Sequence, residues 1–241
     1  MISDNLQAVQ ARIEAACAKA RRPAHDVTLL AVSKTFGADA VQAAFDAGQT
    51  AFGENYIQEA VEKIALLRHL PITWHCIGPV QSNKTRLVAE NFCWVHSVDR
   101  LKIAERLNDQ RPAHLPPLQV CIQVNIDAEA SKSGVAAAEV EVLAAQVALL
   151  PRLQLRGLMC IPEITPNLIA ISASFTGARA IFDQINRLKL PISQKINSQV
   201  NLLTLDTLSM GMTADLEAAI ACGSTMVRVG TAIFGVRSKT A

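Results

Sequence analysis

Apolar positions along this chain fall into two alternating rhythms. At the start, Leu6, Val9, Ile13 and Cys17 recur at helical spacing, and Asp4 stands where it can cap an amphipathic helix. Short, nearly continuous apolar runs follow at residues 27–34, 50–54, 72–78, 93–98, 118–126, 155–161, 205–210 and 226–230. A strand buried on both faces reads this way, because neither side of it meets water. Between most of these runs lie stretches rich in Ala, Leu and Glu, at 38–47, 56–68, 82–90, 99–109, 136–149, 168–188 and 214–221, which read as helices. Strands alternating with helices predict a parallel sheet with right-handed crossovers. Eight such units in 241 residues predict a closed (β/α)8 TIM barrel, one domain over 1–241 with an extra N-terminal helix. An open doubly wound sheet is the rival. The stretch 191–201, rich in Pro, Asn, Ser and Gln, reads as a loop within an insertion over 189–204 ahead of the seventh strand. Residues 111–117 read as another loop, before the fifth.

Composition narrows the function. Half the residues are apolar, enough for a large core, and 23 basic against 21 acidic side chains leave a net charge of +2. With aromatics at only 4%, neither a basic footprint nor a base-stacking surface is available, so nucleic acid is not an expected partner. No apolar stretch reaches the ~18 residues of a membrane span. The six cysteines have no CxxC spacing, and Cys76, Cys93, Cys121 and Cys160 lie in apolar runs, so they read as small buried hydrophobes and no metal site is expected. No basic-then-apolar leader opens the chain, and a cytoplasmic location is expected.

The candidate chemistry starts at Lys34, which ends the first buried run. A lysine there either snorkels to water or is held at the rim of a barrel, where burial lowers its pKa and makes it a nucleophile for carbonyl groups. Closure of a barrel pairs the eighth strand with the first, bringing Lys34 beside Met226-Val227-Arg228-Val229-Gly230-Thr231 at the C-terminal rim, where barrel active sites and their phosphate sites lie. Gly230 and Thr231 can offer amides and a hydroxyl to a phosphate; the competing reading is a glycine needed for a tight turn. Ser209-Met210-Gly211-Met212-Thr213, after the seventh strand, can face the same anion, with Thr213 capping the next helix. Asp215 and Glu217 in that helix's first turn read as dipole stabilisers. A lysine beside a phosphate cradle fits pyridoxal 5′-phosphate (PLP), which carries an aldehyde and a phosphate. A phosphosugar aldolase is the physical rival, with Glu54 and His75 as its nearest acid–base candidates. For Glu54 the alternative is a rim salt bridge, for His75 a core histidine bonded to backbone, and for Arg228 a rim salt bridge with Glu54 or Asp206.

Several motifs carry a resemblance across nearly the whole chain: Leu29-Leu30-Ala31-Val32-Ser33-Lys34, Phe52-Gly53-Glu54-Asn55-Tyr56, Trp74-His75-Cys76-Ile77-Gly78-Pro79-Val80-Gln81-Ser82-Asn83-Lys84, Ser131-Lys132-Ser133-Gly134, Arg156-Gly157-Leu158-Met159, Ser209-Met210-Gly211-Met212 and Val227-Arg228-Val229-Gly230-Thr231. In these the chain resembles the YggS/PROSC family of pyridoxal phosphate homeostasis proteins, related to the N-terminal barrel of alanine racemase. The resemblance implies PLP held as a Schiff base on Lys34. It implies a phosphate region at Ser209, Gly211, Gly230 and Thr231, with Thr213 beside them. It places Arg228 next to the pyridine nitrogen and Asn55 near the ring. An arginine there disfavours a protonated ring, which becomes a poorer electron sink. Alanine racemase adds a second, β-rich domain whose tyrosine serves as a second base from a partner subunit. No such domain is expected here, and the one tyrosine, Tyr56, is expected on the helix after strand two. The implied function is binding, storage and transfer of PLP without efficient turnover, by a monomer, with amino acids and PLP-accepting apoenzymes as further partners. The alternative is a PLP-dependent enzyme such as a weak amino-acid racemase.

Overall fold

The computed structural model describes residues 1–129, 133–163, 165–196 and 199–235. Its strands are β1 (Thr28–Val32), β2 (Ala51–Glu54), β3 (Thr73–Cys76), β4 (Trp94–Val98), β5 (Leu118–Asn125), the two-residue β6 (Val135–Ala136), β7 (Leu153–Cys160), β8 (Pro191–Ile196), β9 (Gln199–Leu202), β10 (Thr207–Ser209) and β11 (Met226–Val229). Eight of them close a parallel barrel in the order β1-β2-β3-β4-β5-β7-β10-β11. The seam closes where β1 pairs with β11, from Thr28 opposite Met226 to Ala31 opposite Val229. The expected (β/α)8 barrel is therefore the observed one, and the open sheet is excluded.

The helices are α1 (Ile2–Lys19), α2 (Ala38–Asp46), α3 (Ile57–Leu66), α4 (Thr85–Asn91), α5 (Leu101–Gln110), α6 (Val140–Ala148), α7 (Leu168–Leu188), α8 (Leu216–Ala221) and α9 (Thr231–Phe234). Side-chain alternation on β1 sends Leu29 and Ala31 into the core between barrel and helices. It sends Val32 and then Lys34 into the cavity at the barrel's C-terminal end. Gly157 of β7 is required by close approach: a Cβ there would overlap the carbonyl oxygen of Thr207 on β10. The extra helix α1 braces the same end of the barrel. Arg12 forms an ion pair with Glu217 of α8 at 2.9 Å and donates to the Thr213 carbonyl at 3.0 Å, while Asn5 donates to the Ile233 carbonyl of α9 at 2.9 Å.

Three local expectations are corrected. The helix α1 starts one residue into the chain, so Asp4 is its third residue and not its N-cap; from there its carboxylate accepts from the terminal ammonium at 3.0 Å as the acidic half of a capping box. The loop expected at 191–201 is an antiparallel hairpin of β8 and β9, with Pro191 opposite Leu202 and Ile196 opposite Gln199. Pro191 is the first residue of its strand, a position proline tolerates, and between Ile192 and Ile196 the strand carries only Ser, Gln and Lys, which read as a loop. Finally, α8 begins at Leu216 with Asp215 at its N-cap, its carboxylate accepting the Met212 amide, so Thr213 is not the cap. All six cysteines are free thiols. Among the described residues no helix is long and apolar enough to cross a membrane, and no three His, Cys, Asp or Glu side chains group as metal ligands.

Candidate functional site

A cavity of about 330 Å³ opens at the C-terminal end of β1 and β11. The structure brings six of the eight candidate residues to its wall: Lys34, Asn55, Thr213, Arg228, Gly230 and Thr231, joined by Val32, Phe36, Ile77, Ile161 and Met212. Lys34 and Thr35 form the corner of a turn in which the Phe36 amide donates to the Ser33 carbonyl at 3.1 Å. Gly230 and Thr231 open α9, where first-turn amides have no acceptor within the helix. A Cβ on Gly230 would come within 3.1 Å of the Val32 carbonyl oxygen, so the first and last strands meet tightly under this corner.

The wall is electropositive. Arg228 is 4% exposed, and its guanidinium donates to the Ser209 hydroxyl at 2.8 Å and the Cys160 carbonyl at 3.0 Å. Neither salt bridge considered for it forms, since Lys63 pairs with Glu54 at 2.6 Å and Arg156 with Asp206 at 2.6 Å. Burial lowers the Arg228 pKa from its ordinary value, as expected for a cation that water cannot solvate. The Asn55 side-chain oxygen is buried and has no hydrogen-bond partner among the described residues. An orphaned acceptor of this kind ordinarily has a donor supplied by a ligand or water.

Ser209 and Gly211 lie off the cavity wall. The Ser209 hydroxyl is fully buried between Arg228 and His96, 3.0 Å from the latter's Nδ1. Gly211 has φ 94°, its carbonyl accepts the Arg228 amide at 2.9 Å, and a Cβ there would press on Ala219 of α8. Both therefore support Arg228 from behind.

His96, on β4, is a residue that the sequence reading missed. Its Nε2 meets His75 Nδ1 at 2.9 Å, and with Ser209 and Arg228 the two imidazoles form one buried polar chain across the barrel axis. His75 was expected to bond backbone; its partner is the second ring, and it stacks on Trp94 at 5.2 Å. Burial drives the His75 pKa down to about 3 and that of His96 well below its ordinary value, the latter helped by the charge of Arg228. Both rings are neutral at physiological pH. The available signal for His96 was a histidine, next to Ser97, inside an otherwise apolar strand run.

Glu54 faces the helix layer behind Lys34. It accepts from Ser33 Oγ and from Lys63 Nζ, both at 2.6 Å, and its other oxygen is buried without a partner among the described residues. Its salt bridge exists but is buried and not at the rim, and burial raises its pKa against the pull of Lys63. Lys84 reaches Gln58 at 3.4 Å and does not line the cavity. Ser131 and Lys132 lie outside the described residues.

Comparison with known proteins agrees with this geometry. Residues 5–238 match the family model for the N-terminal domain of alanine racemase. The chain is 54% identical over 236 residues to a pyridoxal phosphate homeostasis protein of Pseudomonas aeruginosa, covering 98% of this chain and 96% of that one. It is 53% identical over 239 residues to the protein of the same description from Escherichia coli K12, covering 98% and 97%. It superposes on PipY of Synechococcus elongatus, solved with PLP bound, with a TM-score of 0.81 at 34% identity over 98% of this chain and all of that one. The chain thus belongs to the YggS/PROSC family of pyridoxal phosphate homeostasis proteins, built on the barrel of the alanine racemase N-terminal domain.

Proposed function

We propose that this chain binds pyridoxal 5′-phosphate reversibly, stores it and hands it on, without efficient turnover of its own. One observation carries the reading: Lys34, Asn55, the first turn of α9 and the buried Arg228, which has no salt bridge among the described residues, line one cavity. That wall fits an anionic aldehyde. When bound, PLP supplies an aldehyde carbon for an amine to attack, with loss of water. Lys34 provides that amine. The amides of Gly230 and Thr231 and the Thr231 hydroxyl provide donors for phosphate oxygens. Arg228, held from behind by Ser209 and the Cys160 carbonyl, supplies a fixed positive charge that favours the anion before any covalent bond forms. Because carbon–nitrogen bond formation at Lys34 is reversible, amino acids and the lysines of acceptor proteins can take the cofactor on.

The phosphate is expected to contribute much of the affinity. Two or three charge-assisted hydrogen bonds, at about 1.5–3 kcal/mol each, correspond to an affinity loss on the order of 100-fold or more without it. Spectrophotometric titration should therefore show pyridoxal binding far more weakly than PLP. Gly230→Val, which adds a branched side chain against Val32, should erase that difference. Equal affinity of wild type for the two aldehydes would remove the cradle from this reading.

A weak racemase remains the second reading, since the fold is shared. Efficient racemisation needs an acid–base group on each face of the ring. Among the described wall residues only Lys34 and Arg228 are ionisable, and Tyr56 stands outside, 52% exposed at the N-cap of α3. L-alanine incubated with the protein and PLP in deuterated water should yield no steady flow of D-alanine. Formation at ordinary enzymatic rates, on the order of 1–10³ s⁻¹, would establish the enzyme instead.

A further inference from the structure

The turn that presents Lys34 is strained and is clamped from behind. Thr35 has φ 68°, and a turn with a positive φ at this corner ordinarily carries glycine, because a β-branched residue is crowded there. The Nζ of Lys63, on α3 and 4% exposed, donates to the carbonyls of Ser33 and Phe36 at 2.9 Å each, gripping both ends of the turn. Its charge is met by Glu54 at 2.6 Å and Glu59 at 2.8 Å. Glu59 also accepts the Thr35 amide at 2.9 Å, and Ser33 Oγ donates to Glu54. On the other side, the Phe36 ring stacks on Phe234 of α9 at 5.2 Å. A buried lysine is a costly way to fill a helix–barrel interface that an apolar side chain would fill more cheaply. Its position on both carbonyls of the turn gives it a task that an apolar side chain cannot do.

We propose that Lys63 is a positioning residue for Lys34. With Glu54 and Glu59 it holds the strained turn in the one conformation that aims the Lys34 amine into the cavity, so the amine meets an aldehyde without first being ordered. This rests on the reading of Lys34 as the capturing amine. No group of the clamp enters the cavity wall, so it acts only through the backbone that carries Lys34.

The test compares wild type, Lys63→Met and Lys63→Met/Thr35→Gly as full-length chains. In the cofactor-free protein, hydrogen exchange at the amides of Thr35 and Phe36 should quicken about tenfold in Lys63→Met, the equivalent of one lost hydrogen bond. Stopped-flow absorbance after adding PLP should show imine formation slowed severalfold, because the unclamped amine must find its attack position from a broader set of turn conformations. Thr35→Gly should restore most of that rate in the Lys63→Met background, because glycine holds the left-handed corner without a clamp. A lysine that merely packs α3 gives a loss with no rescue, which overturns the proposal, as does an unchanged rate in Lys63→Met. Should Lys63→Met not fold, Glu59→Ala removes the outer acceptor from a partly exposed position and should show both effects in smaller measure; no change in either sinks the clamp. If wild type forms no imine at Lys34, the reading of Lys34 fails, while amide exchange still decides the clamp.

Discussion

Replacing Lys34 with alanine should abolish covalent capture of PLP and leave the barrel folded. The side chain projects from a turn into the cavity and is only half-buried, so its loss removes little packing, within about 0.5 kcal/mol of wild-type stability. Capture depends on it entirely, because it is the only amine on the wall among the described residues. The variant mixed with PLP should show no yellow imine absorbance and no borohydride-fixed adduct on mass analysis. Its circular dichroism should match that of the parent. Residual binding through Arg228 and the strand-eleven turn should survive as a weak, colourless association. An undiminished band, with the adduct mapped to Lys84 or Lys132, would overturn the assignment.

Acid should destabilise the fold through His75 and His96. Both are neutral in the folded chain, His75 with a pKa of about 3 and His96 well below its ordinary value, because burial excludes the charged form. In the unfolded chain each imidazole takes up a proton near pH ~6.5. As pH falls below that point, the unfolded state binds protons that the folded state cannot, so stability falls with pH. Integrated between about pH 7 and pH 5, the loss is roughly 2 kcal/mol for His75, and His96 adds to it in the same direction. Glu54 acts with the opposite sign: its folded pKa lies above the ordinary carboxylate value, so it takes up its proton first in the folded state and offsets part of the loss. Urea midpoints across this range should drop for wild type. His96→Gln and His75→Gln should each flatten the slope by about one proton's worth. Slopes unaffected by either substitution would show that these rings do not stay neutral in the fold.

The barrel is legible in the sequence because strands buried on both faces interrupt amphipathic helices in a regular rhythm, and closure then places Lys34 beside Arg228 and Gly230 without further information. The resemblance adds Asn55, which the rhythm alone does not single out. What escaped depends on distant partners. The hairpin β8–β9 is a two-stranded ribbon whose many polar residues hide its few apolar ones. His96 makes its bonds to His75, 21 residues away, and to Ser209, 113 residues away, and no local pattern announces them. Ser209 reads as a phosphate donor from its place after the seventh run, but the structure turns its hydroxyl to Arg228. Lys63 looks like an ordinary helix lysine until it is set beside Ile57 and Ala60, whose buried stripe it continues.

The seam between β1 and β11 joins the earliest barrel strand made by the ribosome to the last. Lys34 emerges early in synthesis, while Arg228, Gly230 and Thr231 come almost two hundred residues later. An incomplete nascent chain therefore has the amine but not the anion cradle, and cannot sequester cofactor with full affinity before it closes. In the proposed binding mode, a ligand bonded to Lys34 and held by Gly230 and Thr231 staples the first barrel strand to the last. Such a staple stabilises the native state by mass action and restrains an opening that starts at the seam. On that binding mode a loaded barrel is expected to resist unfolding longer than an empty one, which unfolding rates in urea with and without PLP would read.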